Sequence, residues 1–166
     1  MTTTRARAAA ADPYLWLEKV GSRRALDWVR ERNAATLALR RAGPGHSAMR
    51  AALLEVYDAH DRIPTITRRG DRLYNFWQDA RHRRGLWRRT TLADYATPAP
   101  AWEPVLDLDA LCRAERRSWV WDGAQGYGPQ YRRCLVSLSP GGSDAVVVRE
   151  FDLVDKRFVD GGFVVP

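Results

Sequence analysis

Arg69-Gly70-Asp71-Arg72-Leu73-Tyr74-Asn75-Phe76-Trp77-Gln78-Asp79 and, after a short charged gap, Arg84-Gly85-Leu86-Trp87-Arg88-Arg89-Thr90-Thr91 decide the fold class of this chain. Aromatic and aliphatic residues are interleaved with polar ones along both stretches, and the pattern is read as the alternating one of strands. Strands are predicted at 64–69, 72–78 and 86–91, joined by Gly70-Asp71 and by a turn through Gly85, which makes an antiparallel meander. Upstream the period changes to that of a helix. Ser22 is placed to accept a bond from a free N–H of the first helical turn, and Leu26, Val29 and Leu37 then form one apolar stripe to about Ala42. Gly43-Pro44-Gly45 stops that helix. A second is predicted from about Ser47, with Ser47 as its cap and Met49, Leu53, Val56 and Tyr57 at three- and four-residue steps. Downstream, 97–104 reads as a Pro-spaced linker. A short helix is expected at 109–112, then strands at 118–122, 131–138, 145–151 and 157–160, with Gly141-Gly142-Ser143-Asp144 as a hairpin turn. Residues 1–11 carry no pattern to bury and read as a disordered tail.

At 166 residues and 45% hydrophobic content the chain suits one globular domain. Its 27 Lys+Arg against 20 Asp+Glu give a net charge of +7, a balance that also occurs in nucleic-acid binders. Only Lys19 and Lys156 are lysines. The arginines are spread along the chain, and the groups at Arg81-His82-Arg83-Arg84 and Arg88-Arg89 read as a solvated turn and edge. Cys112 and Cys134 match no CxxC pattern and read as two reduced, partly buried thiols. No apolar run reaches the ~18–20 residues of a membrane span, and 1–11 lacks the apolar core of a secretory signal. The expected location is the cytoplasm, with no membrane partner.

Asp12-Pro13-Tyr14-Leu15-Trp16-Leu17-Glu18, followed by Ala25-Leu26-Asp27-Trp28-Val29 and Asn33, resembles the opening of a prolyl oligopeptidase. Asp61-Arg62-Ile63-Pro64 and the two stretches quoted above resemble the first propeller strands of bacterial members of that serine peptidase family. The resemblance covers residues 12–166, is strongest at 12–33 and 61–92, and weakens between Arg113 and Arg132, where Ala124-Gln125-Gly126-Tyr127-Gly128-Pro129 alters a loop. It implies an α+β, mainly β fold: N-terminal helices followed by antiparallel meanders forming about two blades of an incomplete β-propeller. The expected division is a tail at 1–11, a helical segment at 12–60 and a partial propeller at 61–166. Blades of four strands repeat at roughly 40–50 residues and rings close with ~4–8 of them, so two blades leave strand edges open. The family's catalytic α/β-hydrolase domain is expected to be absent, and the chain reads as an amino-terminal portion.

No residue of this chain is expected to be catalytic, to hold a cofactor or to bind a metal. Ser143, in Gly141-Gly142-Ser143-Asp144-Ala145, comes nearest to the G-x-S-x-G elbow, but Val146-Val147-Val148 follow it, giving strand-turn-strand with no supporting helix. Ser47 lacks the final glycine. The histidines, His46, His60 and His82, all precede Ser143, against the Ser, Asp, His order of that hydrolase fold. Asp58-Ala59-His60-Asp61 offers metal-donor types but no second histidine at helical spacing. The seven tryptophans read as packing residues. Trp119 and Trp121 share a face of one strand and are expected to pack between blades.

The implied role is a lid and docking module of an endopeptidase that acts on short proline-containing peptides, inactive alone. Its expected partners are the missing hydrolase domain, or other copies through open strand edges; an oligopeptide substrate enters only in the full-length context. Nucleic acid is not expected as a partner. A free-standing basic interaction module, binding a protein or nucleic acid, is the alternative. The stripe at Leu26, Val29 and Leu37 would lack its family partner and promote association or partial disorder.

Overall fold

The computed structural model describes residues 12–166, so the tail expected at 1–11 lies outside the described residues. The chain divides into two compact units, Met1–Leu53 and Leu54–Pro166.

In the first unit a single 3-10 turn at Leu15–Glu18 leads to α1, Arg23–Ala42. Ser22 caps α1 as its sequence requires: its hydroxyl oxygen accepts the Ala25 N–H at 3.2 Å. Gly43 and Pro44 end it, with the Gly43 N–H returning to the Arg40 carbonyl. Trp16 meets Trp28 edge to face at 6.2 Å, so these two tryptophans hold the turn to the helix. Leu26, Val29 and Leu37 stay exposed. The second helix, α2, spans His46–Asp58. Ser47 therefore lies inside its first turn and does not cap it; the Met49 N–H bonds the Gly45 carbonyl instead. Met49, Leu53, Val56 and Tyr57 are exposed as well.

The second unit holds two antiparallel sheets. The first has the order β1 (Thr67–Arg69), β2 (Arg72–Trp77), β3 (Leu86–Thr91), β4 (Glu103–Asp107). Register pairs Phe76 with Trp87 and Tyr74 with Arg89 on one face, and Asn75 with Arg88 on the other. A helical turn, α3 (Leu92–Tyr95), separates β3 from β4. β4 corrects the linker expected at 97–104. Pro104 is admitted because β4 is an edge strand and its pairing with β3 shifts register between Trp87 and Arg88. A helix, α4 (Leu108–Glu115), follows at once, capped by Asp107, whose carboxylate accepts the Ala110 N–H at 2.9 Å.

The second sheet has the order β5 (Trp119–Gly126), β6 (Arg133–Pro140), β7 (Val147–Asp152), β8 (Arg157–Phe158), with β9 (Val164–Val165) also paired to β7. The core lies between the two sheets, with Tyr74, Trp87 and Val105 from one side and Val136, Leu138 and Phe151 from the other. Trp121 stacks on Phe76 at 4.8 Å and reaches Trp87 at 5.2 Å, so it does pack between the sheets. Trp119 is buried beside α4, its indole N–H bonded to Glu115.

Polar ties cross the same seam. Arg89 is no solvated edge residue: it grips the Glu103 carboxylate through Nε at 2.7 Å and through a terminal nitrogen at 2.9 Å. Its other terminal nitrogen donates to the Leu153 carbonyl, in the turn just after β7. Lys156 adds a contact to Glu103 at 3.0 Å. The hydrogen bond from Arg89 brings the Glu103 carboxyl down to about 2 against the opposing effect of burial, with Lys156 assisting. A carboxyl depressed below its unfolded value of 4.5 stabilises the fold fully above that pH and loses its contribution as pH falls through about 2. The thermal midpoint is therefore expected to fall as pH drops from about 4.5 toward 2. Glu103→Gln should flatten that slope, and a midpoint that stays level across this range in the unmodified chain would refute the role given to the pair.

Candidate functional site

The outer face of the first sheet, away from the second, carries Asn75, Trp77 and Arg88 by strand alternation. Segments 60–64 and 95–102 line the same depression, leaving an open cavity of about 680 Å³, within the size range of ligand pockets. Its segments are fixed by side chains bonding backbone. Asn75 donates to the Thr65 carbonyl at 2.8 Å, Thr90 to the Ala101 carbonyl at 2.7 Å, and the Tyr95 hydroxyl to the Pro64 carbonyl at 3.3 Å.

Two arginines sit against the rings of this cavity. Arg62 lies 4.3 Å over Trp77 while donating to the carbonyls of Ala59 and Gln78. Arg88 lies between two indoles, 4.3 Å from the centroid of Trp77 and 4.3 Å from that of Trp102, with its Nε–H on Asn75 Oδ1 at 2.9 Å. Burial lowers the Arg88 guanidinium to about 10; Asp79 counteracts this and Arg62 adds to it.

Asp79 has its oxygens occupied. One accepts the Trp77 indole N–H at 3.0 Å; the other accepts the backbone N–H groups of Arg81 and His82 and faces His82 Nδ1 at 3.1 Å. Burial alone would raise its carboxyl, but these bonds outweigh it and bring the group to about 2. The lining holds no serine or cysteine; what it presents is charged groups and aromatic rings.

The serines weighed in the sequence lie elsewhere. Ser143 is exposed in the β6–β7 turn, its N–H on the Pro140 carbonyl and its own carbonyl accepting the Ser139 hydroxyl. Among the described residues no serine hydroxyl is hydrogen-bonded to a histidine, and no group of three or more His, Cys, Asp or Glu side chains is gathered for a metal. Of 58–61, His60 and Asp61 line the cavity and Asp58 ends α2. Cys134 is buried, and that burial raises its thiol to about 12, which makes it a poor nucleophile. Cys112 is free and accepts the Trp119 N–H at 3.2 Å. No helix among the described residues is long and apolar enough to cross a membrane.

Sequence reasoning missed Arg88 and Trp102 as a pair. Alternation already set Arg88 beside Trp77 on one face; Trp102 carried no signal, because the prolines around it read as linker.

Two antiparallel sheets, one of four strands and one of five, stacked face to face, joined by a short helix and led in by helices, define the chain as part of a β-propeller protein. The family profile described as "Prolyl oligopeptidase, N-terminal beta-propeller domain" matches residues 2–164, and the chain belongs to the prolyl oligopeptidase family, to whose N-terminal propeller portion it corresponds. It is 42% identical over 159 residues to an uncharacterized peptidase of Sinorhizobium fredii, covering 95% of this chain and 22% of that protein. It is 32% identical over 149 residues to another of Rickettsia prowazekii, covering 89% of this chain and 20% of that one. Among solved structures, a post-proline cleaving enzyme from Rickettsia typhi matches with a TM-score of 0.84 at 31% identity, over 90% of this chain and 22% of that one. The chain thus spans about one fifth of the length of the relatives it matches.

Proposed function

We propose that this chain is the lid and docking portion of a post-proline-cleaving oligopeptidase and is inactive alone. In this reading the helical segment 12–60 packs on a hydrolase domain. The sheets of 61–166 form the first two blades of a ring that covers the active site and admits only short, flexible peptides. The catalytic serine, aspartate and histidine come from that hydrolase domain. It is the principal partner, with a second copy through open strand edges as the other, and the cytoplasm is the compartment. The observation that carries the reading is the likeness to the Rickettsia typhi enzyme over 90% of the chain, helices and sheets together. The exposed apolar faces of α1 and α2 support it, since such faces favour a covering partner. The alternative of a basic nucleic-acid module draws no support from Arg89, whose guanidinium is engaged by Glu103.

A chimera tests the lid role. In it, residues 12–166 replace the matching portion of the Rickettsia typhi enzyme. Cleavage after proline should be retained for short peptides and remain negligible for a long folded substrate. A folded chimera that cuts short and long substrates equally well would overturn it.

A further inference from the structure

We propose that the loop end formed by the β2–β3 turn, α4 and the β6–β7 turn is a basic platform that docks on an acidic surface of the hydrolase domain, in a contact that salt opens. The proposal rests on the lid reading and deepens it, by naming the docking face and the chemistry of its partner.

In a ring each blade covers its neighbour's sheet face, so a lid lying over an active site presents one of its two loop ends. The two ends differ in how their charges are matched. At the end that holds the β7–β8 turn, Arg89, Arg132, Lys156 and Arg157 each pair with a carboxylate. At the opposite end Arg81, Arg83, Arg84, Arg113, Arg116 and Arg117 are all exposed, and none forms an ion pair among the described residues. The acids beside them are already taken. Asp79 accepts the Trp77 indole N–H and the backbone N–H groups of Arg81 and His82. Asp109 accepts the backbone N–H of Arg84 at 3.0 Å, and Glu115 holds Trp119 and Arg149. Asp144, exposed in the β6–β7 turn, is left against these cations.

Like charges gathered at one end repel one another and set up a positive potential. The loops that carry them cannot spread to relieve it, because they are braced across both sheets. The Leu108 N–H bonds the Gly85 carbonyl at 2.9 Å, the Arg117 N–H bonds the Cys112 carbonyl at 3.2 Å, and the Gly141 N–H bonds the Ser118 carbonyl at 2.6 Å. A platform fixed before contact loses little freedom on docking, and carboxylates from a partner relieve the repulsion. Pairs between exposed charges are individually weak and screened by salt, which suits a contact that has to open to admit a peptide. The relatives carry about four fifths of their length outside the matched portion, where such a surface lies. Single-stranded nucleic acid, another polyanion, is held by exposed rings set among cations, and Trp77 and Trp119 at this end are buried.

The test uses a chimera in which residues 12–166 replace the matching portion of the Sinorhizobium fredii peptidase, its radius of gyration followed by X-ray scattering as salt is raised. The chimera should be compact at low salt and expand as the screening length shortens to ~3 Å near 1 M. Arg83→Glu with Arg113→Glu should be expanded already at low salt. The milder Arg83→Gln with Arg113→Gln should expand at a lower salt concentration than the unmodified chimera. Arg68→Glu with Arg157→Glu, an equal reversal at exposed positions of the other loop end, should leave the salt profile unchanged. A radius insensitive to salt, or shifted equally by both reversals, overturns the proposal. So does salt-sensitive binding of single-stranded DNA to the unmodified chain that the Arg83 and Arg113 reversals abolish, which would give the platform to nucleic acid. Failure of the lid reading itself reads out separately, as equal cleavage of short and long substrates.

Discussion

Trp87→Ala is expected to cost the second unit about 3–5 kcal/mol, the largest effect of any single truncation considered for this chain. Trp87 is 3% exposed and sits where the two sheets meet. Its ring lies 5.3 Å from Tyr74 on its own sheet, and 5.2 Å from Trp121 and 6.0 Å from Phe151 on the other. Removing it forfeits the burial of the indole and leaves a hole lined by three aromatic rings, whose backbones are pinned by strand pairing and cannot collapse inward. Arg69 loses a partner too, since its guanidinium lies over both Tyr74 and Trp87 while bonding the Ala124 carbonyl. A domain stable by ~5–15 kcal/mol loses a large share of its margin this way. Urea unfolding should show the midpoint falling sharply, with Trp87→Phe losing much less. A midpoint unchanged by the alanine would mean that the sheets do not pack on each other through this residue.

Gly85→Ala is expected to cost about 2–5 kcal/mol, from backbone strain and overpacking together. Gly85 turns the chain into β3 with φ +115, and a Cβ there would stand 2.0 Å from the Phe76 ring. Phe76 cannot retreat freely, because it is stacked on Trp121 at 4.8 Å. The backbone cannot move freely either, since the Gly85 carbonyl accepts the Leu108 N–H at the start of α4. Shortening the ring should relieve part of the cost: Gly85→Ala combined with Phe76→Leu is expected to be less destabilised than the two single losses predict. Strictly additive losses would show that strain of the turn, and not the ring, limits this position.

Both predictions concern residues that the alternation in 69–91 had already placed, and the pattern fails where tertiary contacts decide. Ser22 and Gly43-Pro44 announce the ends of α1 because capping is local chemistry. β4 was hidden because Pro104 looks like a linker until an edge strand with a shifted register is there to receive it. Ser47 looked like a cap, yet the helix starts before it, at His46. The arginines at 88 and 89 were read as solvated because a charge run usually is; one is held by Glu103 and the other by two indoles, and neither Glu103 nor Trp102 is near them in sequence. The serines were legible from what surrounds them: Val146-Val147-Val148 gives Ser143 a following strand, β7, and no helix.

The central claim is that this chain serves a peptidase without performing its chemistry, and the most direct measurement is to treat the purified chain with a fluorophosphonate that labels activated serines, alongside turnover of an N-blocked Gly-Pro amide. The account predicts no label and no turnover. A stoichiometric label at Ser143 or Ser47, with hydrolysis that the same reagent abolishes, would contradict it.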